Sequence, residues 1–196
     1  MQEIQGTSNK VLEVNLTRRQ VEIYTVKERE RKMYLGSKGL GLKLLFDRLS
    51  LGIDPLGPEN ILALMPGVLM GTGAPCSGRF EAIAKSPLTG IMGTASCGGP
   101  FGMALKTAGW DGLLINGRAE KPTYLHISQD GVAFKDAEFL WGQDIPDTQE
   151  ALNEKRSAAL VIGPAGERLV RFANIASGSR FLGRGGLGAV MGSKNL

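Results

Sequence analysis

The residues best suited to chemistry lie in two glycine-rich segments. In the last of them, GRGGLGAVMGSKNL, Gly183, Gly185 and Gly188 stand at G-x-G-x-x-G spacing, interleaved with Arg180 just upstream and Arg184. That spacing alone is weak support for dinucleotide binding, which also needs a preceding strand and an acid about 20 positions later. Only eight residues follow Gly188 and none is acidic. A P-loop is excluded as well, because Gly192-Ser193-Lys194 reverses the required Gly-Lys-Ser/Thr order. A more general chemistry remains: glycines can turn backbone N–H groups toward an anion, and guanidinium forks can grip phosphate oxygens. From Arg168 to Leu196 there are five basic residues (Arg168, Arg171, Arg180, Arg184, Lys194) and no acid, a charge balance that favours such a ligand. Turns account for two or three of the six glycines between Gly178 and Gly192, and the rest point to a ligand.

The middle segment, GTGAPCSGRFEAIAKSPLTGIMGTASCGGPFG, has the same character. Twelve glycines fall between Gly67 and Gly117, among Leu, Ile, Val, Met and Phe and not in Ser, Gln or Pro tracts. Glycine serves where φ is positive or where something approaches the backbone closely. Arg79 follows Ser77-Gly78 at the entrance of an expected strand, and Ser96-Cys97-Gly98-Gly99 ends another before a possible helix N-terminus. Taken alone, Arg79 reads as a surface ion pair.

Several elements must position these segments. Residues 11–26 alternate about TRRQ as a β-hairpin, and KERERKMYLG is a charged stretch. A helix is expected from Ser37, with Leu40, Leu44, Leu45 and Phe46 on its buried face. ILALMPGVL, RFEAIAKS, IMGTAS and DGLLINGRA read as strands, and GGPFGMALKTAGW opens a helix. PTYLHIS and GVAFKDA pair as a second hairpin. Thr148 to Arg156 forms a short helix capped by Asp147, and SAALVIGPAG and RLVRFANIAS are further strands. Strands succeed one another through short turns, so the fold class is α+β: a β-rich domain of two packed sheets with a few short helices. No repeat or linker divides the chain, and residues 1–196 are expected to form one domain.

Bulk properties set the frame. Hydrophobic residues make up 42% of the 196, no apolar run approaches a membrane span, and the first residues lack a secretion pattern. Two cysteines, Cys76 and Cys97, suit a reducing cytoplasm but are too few for a four-thiolate iron–sulfur site. They read as small residues near the site. His126, Asp111 and Glu167 read as ordinary structural residues.

The ordered set VNLT, DPLGPEN, GTGAPCSGR, KSPLTG, GGPFG…AGWD, INGRAEKP, IGPAGE and GRGGLGAVMGSKNL resembles the N-terminal domain of the aldehyde ferredoxin oxidoreductases. The resemblance covers essentially the whole chain. It implies a base for a tungsten (or molybdenum) bis-molybdopterin, held with no side-chain metal ligand. Magnesium would bridge the pterin phosphates through the backbone carbonyls of Ser96 and Phe181, with Gly98 and Arg180 beside the phosphates. Arg79 would lie between a pterin and a [4Fe–4S] cluster ligated outside this chain. Gly183, Arg184, Gly185 and Gly186 would form the supporting loop. Two positions depart from the family, which often carries Asn at Ser96 and Ala at Phe181.

The implied activity oxidises aldehydes to carboxylic acids, with ferredoxin or a similar carrier as electron acceptor, and the acid–base residues belong to the remainder of the enzyme. This fragment alone is expected to be inactive. The alternative is a non-enzymatic module for the pterin cofactor or another anion. RNA binding, suggested by a pI near 9.2, is a weak reading because the basic positions are not interleaved with exposed aromatics as stacking modules need. Neither nucleic acid nor membrane is an expected partner.

Overall fold

The computed structural model describes residues 6–153 and 157–196. Its centre is a six-stranded sheet built from β1 (Lys10–Asn15), β2 (Gln20–Thr25), β3 (Leu62–Pro66), β4 (Phe80–Lys85), β5 (Met92–Cys97) and β6 (Gly112–Asn116). The order is β2-β1-β6-β3-β4-β5. Every neighbouring pair is antiparallel except β1 with β6. The α+β expectation holds. The second layer consists of two short ribbons and helices: β7 (Thr123–Ser128) pairs with β8 (Gly131–Asp136), and β9 (Ile175–Ser177) with β10 (Arg180–Leu182).

Alternation along the strands divides the core in two. Val11, Ala63, Met65, Ile83 and Leu114 face α2 (Ser37–Arg48), which presents Leu40, Leu44 and Leu45. Phe46, expected on that face, is 85% exposed. The buried stripe follows Leu40, Gly41, Leu44 and Leu45, so Phe46 falls beyond its edge. Gly41 lets the helix approach, since a Cβ there would lie 2.4 Å from the Ile83 Cδ1.

On the other face, Leu12, Leu62, Leu64, Phe80, Ala82 and Leu113 pack against α3 (Pro100–Thr107), the β9–β10 ribbon and α6 (Leu187–Gly192). The charged stretch after β2 folds as α1 (Glu28–Tyr34), where Glu30 accepts the Lys27 N–H and closes the first turn.

Three expectations near the C-terminal end need correction. The helix expected over 148–156 is α4 (Ile145–Ala151), capped by Asp144 and not Asp147. The Asp144 carboxylate accepts the Asp147 N–H, and Pro146 suits the first turn, where its missing N–H costs nothing. Residues 154–156 lie outside the described residues. SAALVIGPAG makes only an isolated bridge between Val161 and Ala176, and α5 (Pro164–Glu167) follows at once. RLVRFANIAS is extended in register only over β9, its earlier part being held by turns.

Candidate functional site

The two glycine-rich segments meet along β5, the edge strand of the main sheet. The β4–β5 register sets Phe80 opposite Cys97 and Glu81 opposite Ser96, which carries Arg79 and Gly98 to the same end of the sheet. Arg79 is exposed, and its carbonyl accepts the Gly67 N–H, which fixes the mouth of the 71–79 loop. Cys97 is buried, and its Sγ accepts the Gly99 N–H at 3.4 Å, while Cys76 is exposed at φ 58°.

Ser177 joins this end of the sheet to the ribbon. Its Oγ accepts the Phe101 N–H at 3.1 Å, and a Cβ on Gly99 would fall 2.3 Å from its carbonyl oxygen. Across the ribbon Arg180 pairs with Ser177 and Phe181 with Ala176, so both follow directly from that joint. Both side chains are exposed, whereas Leu182 is fully buried and anchors the strand. Phe181 faces a groove of about 790 Å³ shared with Phe172, Gly178 and Ile145.

The chain then runs through Gly183, Arg184, Gly185 and Gly186 to the other end of β5. There the Gly185 carbonyl accepts the Ser86 hydroxyl at 2.7 Å, and a Cβ on Gly185 would come within 3.8 Å of the Gly93 Cα. Arg79, Ser96, Gly98 and Arg180 are thus gathered at one end of a single edge. Gly183, Arg184, Gly185 and Gly186 continue along it, and Phe181 turns toward the neighbouring groove.

The glycines of this edge are of two kinds. Gly185 and Gly186 have φ of +73° and +69°, and a Cβ on Gly186 would sit 1.8 Å from the Arg171 carbonyl oxygen. The fold itself requires glycine at Gly186. Gly78, Gly98 and Gly183 have no positive φ; a Cβ on Gly78 would meet nothing within 4 Å, and on Gly98 and Gly183 nothing nearer than 3.9 and 3.8 Å. Among the described residues nothing requires glycine at these three positions. A surface kept free of Cβ atoms suits a flat, bulky group laid on the backbone. Gly78 was not among the expected site residues; its carbonyl oxygen lies 3.9 Å from where a Cβ on Gly98 would stand, a proximity that appears only once the sheet is paired.

The basic C-terminal stretch also separates into two sets. Arg168, Arg171, Arg180 and Arg184 are exposed and available to an anion. Lys194 is not: it is fully buried, and its amine donates to the carbonyls of Asn60 and Gly117 at 2.6 and 3.1 Å. Burial, together with the facing Arg118, pulls its pKa down to about 7. Its contribution to an anion site is therefore withdrawn. The spacing G-x-G-x-x-G does follow a strand, β10, and opens a helix, α6, but the strand belongs to a two-stranded antiparallel ribbon. That is not the parallel βαβ frame a dinucleotide site requires.

Residues 11–196 match the family described as aldehyde ferredoxin oxidoreductase, N-terminal domain. The chain belongs to this family. It is 44% identical over 196 residues to the tungsten-containing aldehyde ferredoxin oxidoreductase of Thermococcus kodakarensis, and 45% to that of Pyrococcus abyssi. Each alignment covers 97% of this chain and 32% of the relative, so the chain spans about a third of their length. Among solved structures, the active-site complex BamBC of benzoyl coenzyme A reductase, with 1,5-dienoyl-CoA, superposes with a TM-score of 0.94 at 37% identity. That match covers 97% of this chain and 30% of the other.

As an aldehyde ferredoxin oxidoreductase N-terminal domain, the chain belongs to an oxidoreductase family whose relatives here are named as containing tungsten. Among the described residues no three His, Cys, Asp or Glu side chains converge to hold a metal ion, and no helix is long and apolar enough to cross a membrane. His126 lies in β7, away from the β5 edge. Asp111 is buried between Arg31 and Lys106, and the Glu167 carboxylate accepts the Gly142 N–H at 2.9 Å. Each has a structural partner.

Proposed function

We propose that this domain is the base on which an aldehyde:ferredoxin oxidoreductase would carry a tungsten (or molybdenum) bis-molybdopterin together with a magnesium ion. When bound, that group supplies the two-electron oxidation of an aldehyde to a carboxylic acid, water providing the oxygen, and delivers electrons to a [4Fe–4S] cluster ligated outside this chain. Ferredoxin or a similar carrier takes them onward. The reading rests chiefly on Gly78, Gly98 and Gly183, whose missing Cβ atoms leave free backbone along one sheet edge.

The chain's own residues bind and orient. Arg180 and Arg184, both exposed, present planar forks to phosphate oxygens, where charge-assisted pairing is strongest. Ser96 and Phe181 would offer backbone carbonyls to a magnesium ion, a role that their departure in side chain from the family would leave intact. Arg79, exposed beside the start of β4, would donate hydrogen bonds to the bound group. The Gly185–Gly186 turn supports the loop but does not itself require a ligand to explain its glycines. Protein groups here place the cofactor and tune it, and the hard chemistry belongs to the cofactor. The likeness to a benzoyl coenzyme A reductase complex favours one further reading: the base is common to several redox reactions, and the remainder of the polypeptide selects the substrate.

The test is Gly98→Val and Gly183→Val in the full-length protein, with tungsten and pterin measured per polypeptide. Both variants are expected to lose most of the cofactor while the cofactor-free protein unfolds near the wild-type midpoint, because among the described residues nothing lies nearer than 3.8 Å to the added Cβ. Gly186→Ala, by contrast, meets the Arg171 carbonyl at a positive φ and should lose more than about 1 kcal/mol of stability. A full complement of tungsten and pterin in Gly98→Val would sink the assignment.

A further inference from the structure

KSPLTG, DPLGPEN, INGRAEKP and the terminal SKNL hold none of the residues assigned to cofactor contact, yet they converge on the two ends of α6. At its start stands Ser86, fully buried in the β4–β5 turn. The Ser86 Oγ accepts the N–H groups of Leu88 and Thr89, each at 3.2 Å, and so its own hydrogen is directed to the Gly185 carbonyl at 2.7 Å. Pro87 closes the same side, its Cγ lying 3.2 Å from where a Gly186 Cβ would be.

At the far end Lys194 enters the interior and donates to the Asn60 and Gly117 carbonyls. Arg118 adds a bond from its Nε to the Ser193 carbonyl, and the Ala119 N–H donates to the Lys194 carbonyl at 3.0 Å. Asn60, itself fully buried, links the two ends: its Nδ2 donates to the Lys85 carbonyl at 2.9 Å and its Oδ1 accepts the Lys85 N–H at 3.1 Å. The circuit runs from Ser86 to Gly185, along α6 to Lys194, through Asn60, and back to Lys85 beside Ser86.

We infer that Ser86 and Lys194 are positioning residues that clamp α6 at both ends and so preset the Gly183–Gly186 loop before any ligand arrives. A six-residue helix cannot hold its own geometry, since nucleation outweighs the few bonds it makes. Its geometry therefore depends on the contacts that hold its two ends. A preset loop spares the ligand the cost of ordering it, and its donors need no reorganisation. The inference rests on the proposed placing of the cofactor phosphates at this loop, and the measurements below separate the two.

Amide exchange is followed by mass spectrometry in the full-length protein prepared without tungstate or molybdate, for wild type, Ser86→Ala and Lys194→Met. Tungsten and pterin content are measured on the same three proteins produced with tungstate. In both variants exchange over residues 183–190 is expected to rise roughly tenfold, the factor for losing about 1.4 kcal/mol of buried hydrogen bonding, with β3 and β4 unchanged. Cofactor content is expected to fall with it. Unchanged exchange over 183–190 overturns the clamp, and so does an equal rise across β3 and β4, which would mark a general stability contact. A local rise with full cofactor content upholds the clamp and overturns the phosphate reading of the loop. Should Lys194→Met not fold, Ser86→Ala decides alone.

Discussion

Lys194 carries a consequence that reaches beyond its own contacts. Its amine has left water for an enclosure of backbone carbonyls; burial and then the facing Arg118 draw its pKa from 10.5 to about 7, with Glu59 pulling the other way. Between those values the unfolded chain holds a proton that the folded chain has released. Stability rises with pH wherever the unfolded state binds more protons, so the folded state gains between about pH 7 and 10.5 and is penalised in full below 7. Denaturant midpoints of the cofactor-free protein, taken across that window, are expected to climb in wild type relative to Lys194→Met. Parallel pH profiles would show that the amine keeps an ordinary pKa in the fold. The same residue marks a limit of reading charge from sequence. Five basic residues without an acid suggest an anion site, but whether a lysine faces solvent or carbonyls depends on segments 77 and 134 residues distant. The glycines divide for the same reason. Gly186 and Gly98 are indistinguishable in a sequence, and only the tertiary structure, through the positive φ of Gly186 and the Arg171 carbonyl against it, makes one of them structural.

Among the elements, α1, α3 and β6 are tied together by a buried ionic group. Asp111, 2% exposed at the head of β6, receives the Arg31 guanidinium from α1 at 2.7 Å and the Lys106 ammonium from the end of α3. Its Oδ2 also accepts the Asn9 N–H at 2.8 Å, and Arg31 donates onward to the Leu35 carbonyl. Removing one member of such a group strands the others, so Asp111→Ala is expected to cost about 3–5 kcal/mol of unfolding free energy. A denaturant melt that moves by less than a third of that would show Arg31 finding water. Because α3 starts at the Gly99 joint, the same variant should loosen the site end of β5. Elements with strong local signals were legible: both hairpins follow from alternation, α2 from helical spacing and β3 from a continuous apolar run that ends at Pro66-Gly67. α1 was hidden, since charges surround its single buried residue, Arg31, and no apolar stripe announces it. α4 was placed three residues late because Asp144 and Asp147 are equally good caps, and Pro146 favours the earlier one.

For the molecule as a whole, the chain spans about a third of its relatives, and its two cysteines stand apart, Cys97 buried and Cys76 exposed. A [4Fe–4S] cluster needs four thiolates. These 196 residues produced by themselves are therefore expected to carry no iron, and stoichiometric iron with a broad visible absorption would refute the placing of the cluster elsewhere. Phe172 and Phe181 are 69% and 49% exposed along one groove. By itself the sequence determined the fold class, the strands with clear alternation and the family, because these depend on local periodicity and on ordered motifs. Only the tertiary structure decided that the two glycine-rich segments lie along one strand, and that Gly78 belongs with them. It alone also showed that Lys194 faces inward to fix α6. The physical reason is range: periodicity is set by neighbours a few residues apart, whereas a shared edge depends on strand pairing and a buried amine on carbonyls brought from distant turns.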